Sequence, residues 1–241
     1  MHEREIDLDT RDGRMPVLVT RPEEGRHPTV ILFMEALGIR EELRDMARRI
    51  GTVGYYVMLA NLFYREGGAS FDPALLPTQG PDPEMMRINL ATTHAMVLAD
   101  TEAMLRFAAD DPAARDPVGT IGYCMGGPIV MRTAAAVPNR VGAVGSFHGG
   151  GLTTMNPDSP HLLIPQTNAQ YLIAVAENDD MRDSTSKDIL KKAFADANKK
   201  AEVEVYKAAH GWCPPDSGVY DRGEAERAWG RMLAMFKTAL A

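Results

Sequence analysis

Gly119-Thr120-Ile121-Gly122-Tyr123-Cys124-Met125-Gly126-Gly127 decides how this chain is read. The apolar run Val118–Gly122 predicts a strand, and a helical pattern over Gly126–Val137 begins almost at once, near Met125. Cys124 stands on the turn between them. Gly-x-Cys-x-Gly is the spacing of a nucleophile elbow with cysteine in the place of serine. Its glycines are needed because so tight a turn leaves no room for side chains at those positions. A thiol at a helix N-terminus also meets unpaired N–H groups and the positive end of the helix dipole, which favour its ionisation. The plain alternative is a buried cysteine in a glycine-containing turn, since cysteine is among the most buried residue types.

Outward from this turn, short apolar runs alternate with longer amphipathic ones. Strands are predicted at Pro16–Thr20, Thr29–Met34, Tyr56–Ala60, Val118–Gly122, Ala143–Phe147, Tyr171–Ala176 and Glu202–Tyr206. Helices are predicted at Glu41–Val53, Glu84–Ala109, Gly126–Val137, Ser186–Asn198 and Asp221–Leu240. That rhythm implies one α/β domain over residues 1–241, with a mostly parallel central sheet and helices on both faces. Glu66–Asp82 and Gly149–Pro165, rich in glycine and proline, read as long surface loops that help form a site. In such sheets ligands sit at the carboxyl ends of the strands.

An elbow nucleophile needs a base and a group to orient it, in the chain order nucleophile, acid, histidine. Tyr171–Ala176 runs into Glu177-Asn178-Asp179-Asp180, and Glu202–Tyr206 leads to His210-Gly211. Each candidate follows a predicted strand. A carboxylate on one imidazole nitrogen would fix the tautomer that leaves the other free to take the thiol proton. Taken singly, His210 reads as a loop histidine, and Asp179 or Asp180 as a cap or turn residue. His94 reads as a helix residue, while His2 and His27 fall in exposed N-terminal segments and His161 carries no signal. His148-Gly149-Gly150-Gly151 imitates a lipase oxyanion motif but follows the nucleophile instead of preceding it, so it is expected only to line a pocket. Cys213 reads as an inert neighbour of His210.

Glu35 closes the run Val30-Ile31-Leu32-Phe33-Met34. A charge at the end of a buried strand is costly unless paired. It is either a solvent-facing strand terminus or a pocket carboxyl with a raised pKa. Two backbone N–H groups, of Ala36 and Met125, are the expected oxyanion donors.

The 241 residues, 45% apolar and 24% charged, are enough for a large core without disulfides or structural metals. A net charge of −7 argues against nucleic acid or an anionic membrane as partner. Two cysteines, Cys124 and Cys213, lack the clustering of a zinc site. The charged start Met1-His2-Glu3-Arg4-Glu5 is not followed by an apolar run, so the expected setting is a reducing cytoplasm.

Gly-Tyr-Cys-Met-Gly-Gly, Met34-Glu35-Ala36-Leu37-Gly38, Asp179 and Ala209-His210-Gly211 together resemble the dienelactone hydrolase family of α/β-hydrolases, from about Arg11 to the C-terminal helix. The resemblance implies an α/β-hydrolase fold with no large cap domain and a Cys124–His210–Asp179 triad, Asp179 matching the family position. It implies that Glu35 holds the resting thiol until substrate releases it, and that an enol-lactone or other activated ester is hydrolysed through an acyl-cysteine without cofactor or metal. Phe63, Trp212 and Arg87 are candidate substrate contacts. Two departures bear on the substrate. Ala60-Asn61-Leu62-Phe63 stands where the family carries Pro-Asp-Leu-Tyr, and Pro214 stands where it carries a substrate-gripping arginine, so a neutral or differently charged substrate is expected. The rival expectation is a thiol redox or sensor protein using Cys124 on the same scaffold.

Overall fold

The computed structural model describes residues 1–75 and 82–241; part of the expected loop Glu66–Asp82, residues 76–81, lies outside them. In chain order the elements are β1 (His2–Thr10), β2 (Gly13–Arg21), β3 (His27–Phe33), α1 (Glu41–Thr52), β4 (Tyr56–Ala60), α2 (Pro83–Ala91), α3 (His94–Asp110), β5 (Ala114–Tyr123), α4 (Gly126–Ala136), β6 (Val141–Phe147), β7 (Gln170–Ala176), α5 (Glu177–Arg182), α6 (Ser186–Asp196), β8 (Ala201–Tyr206) and α7 (Arg222–Ala239). Short 3-10 turns at Tyr64–Glu66, Pro73–Leu75 and Pro160–Gln166 punctuate the connections.

The eight strands form one sheet in the order β1-β2-β4-β3-β5-β6-β7-β8. The β1–β2 and β2–β4 pairs are antiparallel and the rest parallel. β3 from Pro28 and β5 from Val118 onward are buried without a break because a parallel strand in the middle of a covered sheet is buried on both faces. Successive side chains alternate faces, and the glycines of β5 show what covers each. A Cβ at Gly119 would meet Phe236 and Leu240 of the C-terminal helix region, 3.0–3.4 Å away, whereas one at Gly122 would strike the α4 backbone at Gly126. Both faces therefore carry helices, in an α/β-hydrolase fold without a large cap. α1 docks through Leu43, Ala47, Ile50 and Gly51, the spacing of one helical stripe.

Two local expectations are corrected. His2 and His27, expected in exposed segments, open the strands β1 and β3 and are half-buried. β1 turns Arg4, Ile6 and Leu8 inward, Leu8 fully buried, while its acidic residues face water, and it returns through a two-residue turn at Arg11-Asp12 into β2. The helix expected over Glu84–Ala109 is two helices. Thr93 interrupts it by accepting a hydrogen bond from the Met96 N–H at 3.3 Å, the geometry of an N-cap. The segment after β7, for which no element was expected, is a six-residue helix, α5.

Candidate active site

β5 ends one residue before Cys124, which adopts φ +50°, a left-handed conformation that a side chain rarely tolerates. Its N–H donates to the Phe147 carbonyl at 3.1 Å and its own carbonyl accepts from the Gly127 N–H at 3.0 Å. The turn is tight because β5 passes directly into α4. A Cβ on Gly122 would lie 2.4 Å from the Gly126 carbonyl oxygen, and one on Gly127 would lie 2.5 Å from Gly149 Cα. This is a nucleophile elbow built by glycine spacing.

His210 follows β8 and Asp179 sits in the first turn of α5, just past β7. His210 Nδ1 and Asp179 Oδ2 are 2.6 Å apart. Asn178 adds a contact the sequence did not reveal: its Oδ1 accepts from the His210 backbone N–H at 2.8 Å and so fixes the loop that carries the ring. Burial by itself disfavours the charged imidazolium, but hydrogen bonds from the ring to Asp179 and to the Cys124 thiol outweigh it. Together they push the His210 pKa up to about 10. With Nδ1–H directed at the carboxylate, the second nitrogen is left to the sulfur.

Glu35 comes two residues after β3, the strand beside β5, and is buried. Burial raises its pKa, against the opposing pull of Arg40. Here the structure corrects an expectation. The Glu35 carboxylate does not hold the thiol: its Oε1 accepts from Arg40 Nη2 at 2.5 Å, while the thiol turns to His210. Arg40 also donates from Nε to Asp216 Oδ2 at 2.5 Å and from Nη2 to Asp216 Oδ1 at 3.2 Å. Arg40 and Asp216 escaped the sequence reading because they lie in two loops 176 residues apart, with no motif around either.

Cys124, His210, Glu35 and Ala36 line one cleft of about 620 Å³, with Leu37, Met85 and Val219 among its apolar walls. Met125, the residue after the nucleophile, starts α4. Among the described residues neither the Ala36 nor the Met125 N–H is taken up by a backbone or side-chain acceptor outside regular helix and strand bonding.

The expected substrate contacts lie elsewhere. Phe63 is fully buried in the core, its N–H donating to the Asn61 side chain in the turn after β4. Trp212 is equally buried, stacked on Tyr206 and edge-on to His148. Arg87 is exposed on α2, bound to Glu84 and Glu66 at 2.7 Å each. His148 does not line the cleft as expected; it is sealed beneath the site at φ +41°, with its ring 4.9 Å from that of His210. Burial holds it well below the ordinary histidine pKa, with the charge of His210 adding to the effect, so it stays neutral.

Cys213 is buried and faces a separate cavity of about 150 Å³ with Tyr123 and Trp229; burial drives its thiol pKa well up. Among the described residues no cluster of three His, Cys, Asp or Glu side chains is placed to hold a metal, and no helix is long and apolar enough to cross a membrane.

The sequence model of the Dienelactone hydrolase family matches residues 15–240. A relative named "Putative carboxymethylenebutenolidase" from Escherichia coli (strain K12) is 29% identical over 236 residues, covering 95% of this chain and 84% of its own. The crystal structure titled "Putative Dienelactone Hydrolase", from Klebsiella pneumoniae, superposes with a TM-score of 0.85 at 26% identity over 98% of both chains. A dienelactone hydrolase-like promiscuous phosphotriesterase from metagenomic libraries, 21% identical over 100% of this chain and 99% of its own, superposes at 0.82 and shares the fold.

Proposed function

This chain belongs to the dienelactone hydrolase family and is a hydrolase of the lactone and ester type, and from that premise we propose that Cys124 is its nucleophile. The observation that carries this reading is the His210 ring, bonded to Asp179 at 2.6 Å and to the thiol of a residue held at φ +50° on an elbow.

With its pKa raised to about 10, the His210 ring already holds the proton that the thiol gives up, so the sulfur attacks the carbonyl carbon as a thiolate beside the imidazolium and the carbonyl electron pair moves to oxygen. Backbone N–H groups of Ala36 and Met125 receive that oxyanion; removing one such donor typically costs roughly 10²–10³ in turnover. Collapse breaks the bond to the leaving oxygen, which takes the proton from His210 and leaves an acyl-cysteine. Water then gives a proton to His210 and attacks the acyl carbon, and the thiolate leaves beside the imidazolium. Asp179 orients the ring throughout. A lactone opens to a single hydroxy or oxo acid, and an open-chain ester gives an acid and an alcohol. No step calls for a cofactor.

Gating of the thiol by Glu35 requires that carboxylate to leave Arg40, so Glu35 serves in this reading as the anchor of the cleft wall. The redox alternative has less to support it, since Cys213 faces a different cavity from Cys124.

Cys124→Ala is expected to abolish turnover of a 4-nitrophenyl ester. In the parent, mass spectrometry of the quenched reaction should find the acyl group on the peptide containing Cys124. Parental rates in the variant would overturn the assignment.

A further inference from the structure

We propose that the cavity between α1 and α7, separate from the Cys124 cleft, is a binding site for a small uncharged aromatic molecule that carries one hydroxyl group. The proposal does not depend on which residue attacks the ester.

The cavity follows from helix spacing. α1 docks on the sheet through Leu43, Ala47 and Ile50, and its neighbouring stripe, Glu42, Met46 and Arg49, borders the cavity. α7 lines the other side with Ala225, Ala228, Trp229 and Met232, again one face of a helix. Two of these four are alanines, whose short side chains leave a space of about 150 Å³ between the helices. Arg49 bridges the rim. Its guanidinium donates to the two Glu226 oxygens at 2.8 and 2.7 Å and lies 4.0 Å from the centre of the Trp229 ring.

Tyr123 and Phe147, stacked with their rings 5.1 Å apart, line the cavity together with Cys213. Tyr123 is only 5% exposed, yet its hydroxyl has no hydrogen-bond partner among the described residues. Burial raises its pKa well above the ordinary value, with Cys213 and Glu35 adding to the effect, so the hydroxyl keeps its proton. A buried hydroxyl without a partner is costly, and a ligand oxygen in the cavity supplies the missing one. A cavity of this volume accommodates a single benzene-sized ring, and the aromatic residues around it suit ring-on-ring contact. Glu42 and Asp45 at the rim disfavour an anion, since Arg49 is already neutralised by Glu226.

Fluorine NMR titrations of the intact protein near neutral pH compare 4-fluorophenol, the size-matched 4-fluorotoluene and 4-fluorobenzoate. The phenol should bind saturably, with a Kd on the order of 1 mM or lower. It should bind about fivefold more tightly than the toluene, the worth of one hydrogen bond, with the benzoate weakest. Tyr123→Phe should bring the phenol down to the toluene. Ala225→Leu fills the cavity from a half-buried position and should weaken both neutral compounds at least roughly tenfold. Thermal melts identify folded variants, and Ala228→Met fills the same space from the next turn should the first variant not fold. Four results overturn the proposal: no saturable binding, a phenol held no better than the toluene, a preference that survives Tyr123→Phe, or affinities unmoved by a folded filling variant. A benzoate that binds tightest overturns the uncharged class.

Discussion

His210 carries two contacts that act on its proton in the same direction. Asp179 and the Cys124 thiol both favour the protonated ring, more strongly than burial opposes it, and set its pKa at about 10. A value above the ordinary 6.5 means that the folded protein binds this proton more tightly than the unfolded chain. The associated stability is fully present below about pH 6.5 and is lost as pH rises through about 10. Asp179→Asn should therefore lower the melting temperature at pH 6 and converge on the parent above pH 10, a trend that thermal melts across that range will show or refute. The same change should cut kcat roughly 10³–10⁴-fold, because an amide no longer holds the ring in the working tautomer. At Gly122 the demand is purely steric. A methyl group placed 2.4 Å from a backbone oxygen has no flexible neighbour to displace, so Gly122→Ala should yield protein with a sharply lower urea midpoint, or none soluble.

Loops, not strands, separate this site from what its sequence makes legible. The elbow could be read because its determinants are adjacent residues with steric meaning, and Asp179 and His210 because each follows an apolar run. Arg40 and Asp216 carry no such signature, and their pairing joins the loop after β3 to the loop after β8. Phe63, expected from its place in a family segment, and Trp212, which lies two residues past His210, are both sealed in the core, because neither position in the sequence says where a side chain points. The α2–α3 break was hidden because apolar spacing continues across Thr92-Thr93. Arg40→Met tests the loop pairing. It strands two carboxylates in a buried place and should cost about 3–5 kcal/mol at neutral pH. Glu35 already has a raised pKa, so in its case stability falls as pH rises above the ordinary carboxyl value of 4.5. Without Arg40 that fall should steepen, and the deficit measured by urea unfolding should be smaller at pH 5 than at pH 8.

Across the whole molecule, the catalytic candidates cluster at one end of the sheet while its antiparallel edge does a different job. β1 covers β2 and is tied to the helices by Arg4, which bonds Asp111 at 2.5 Å, and by pairs of Glu3 with Arg48 and Glu5 with Arg44. Deleting residues 2–11 should bare the β2 edge and promote aggregation visible by light scattering. The protein that stays soluble should still cleave esters, since no site residue lies on β1 or β2. The chain holds two tryptophans. Trp229 lies under the Arg49 guanidinium, 4.0 Å from it, near the second cavity. Trp212 lies sealed between Tyr206 and His148, and His148 in turn touches the His210 ring. With Trp229 replaced by Phe, the remaining indole becomes an optical gauge joined by ring contacts to the imidazole proposed to serve Cys124. If acylation of Cys124 changes the charge on His210, the emission of this indole should change with it, and stopped-flow fluorescence without any added dye will show or refute this.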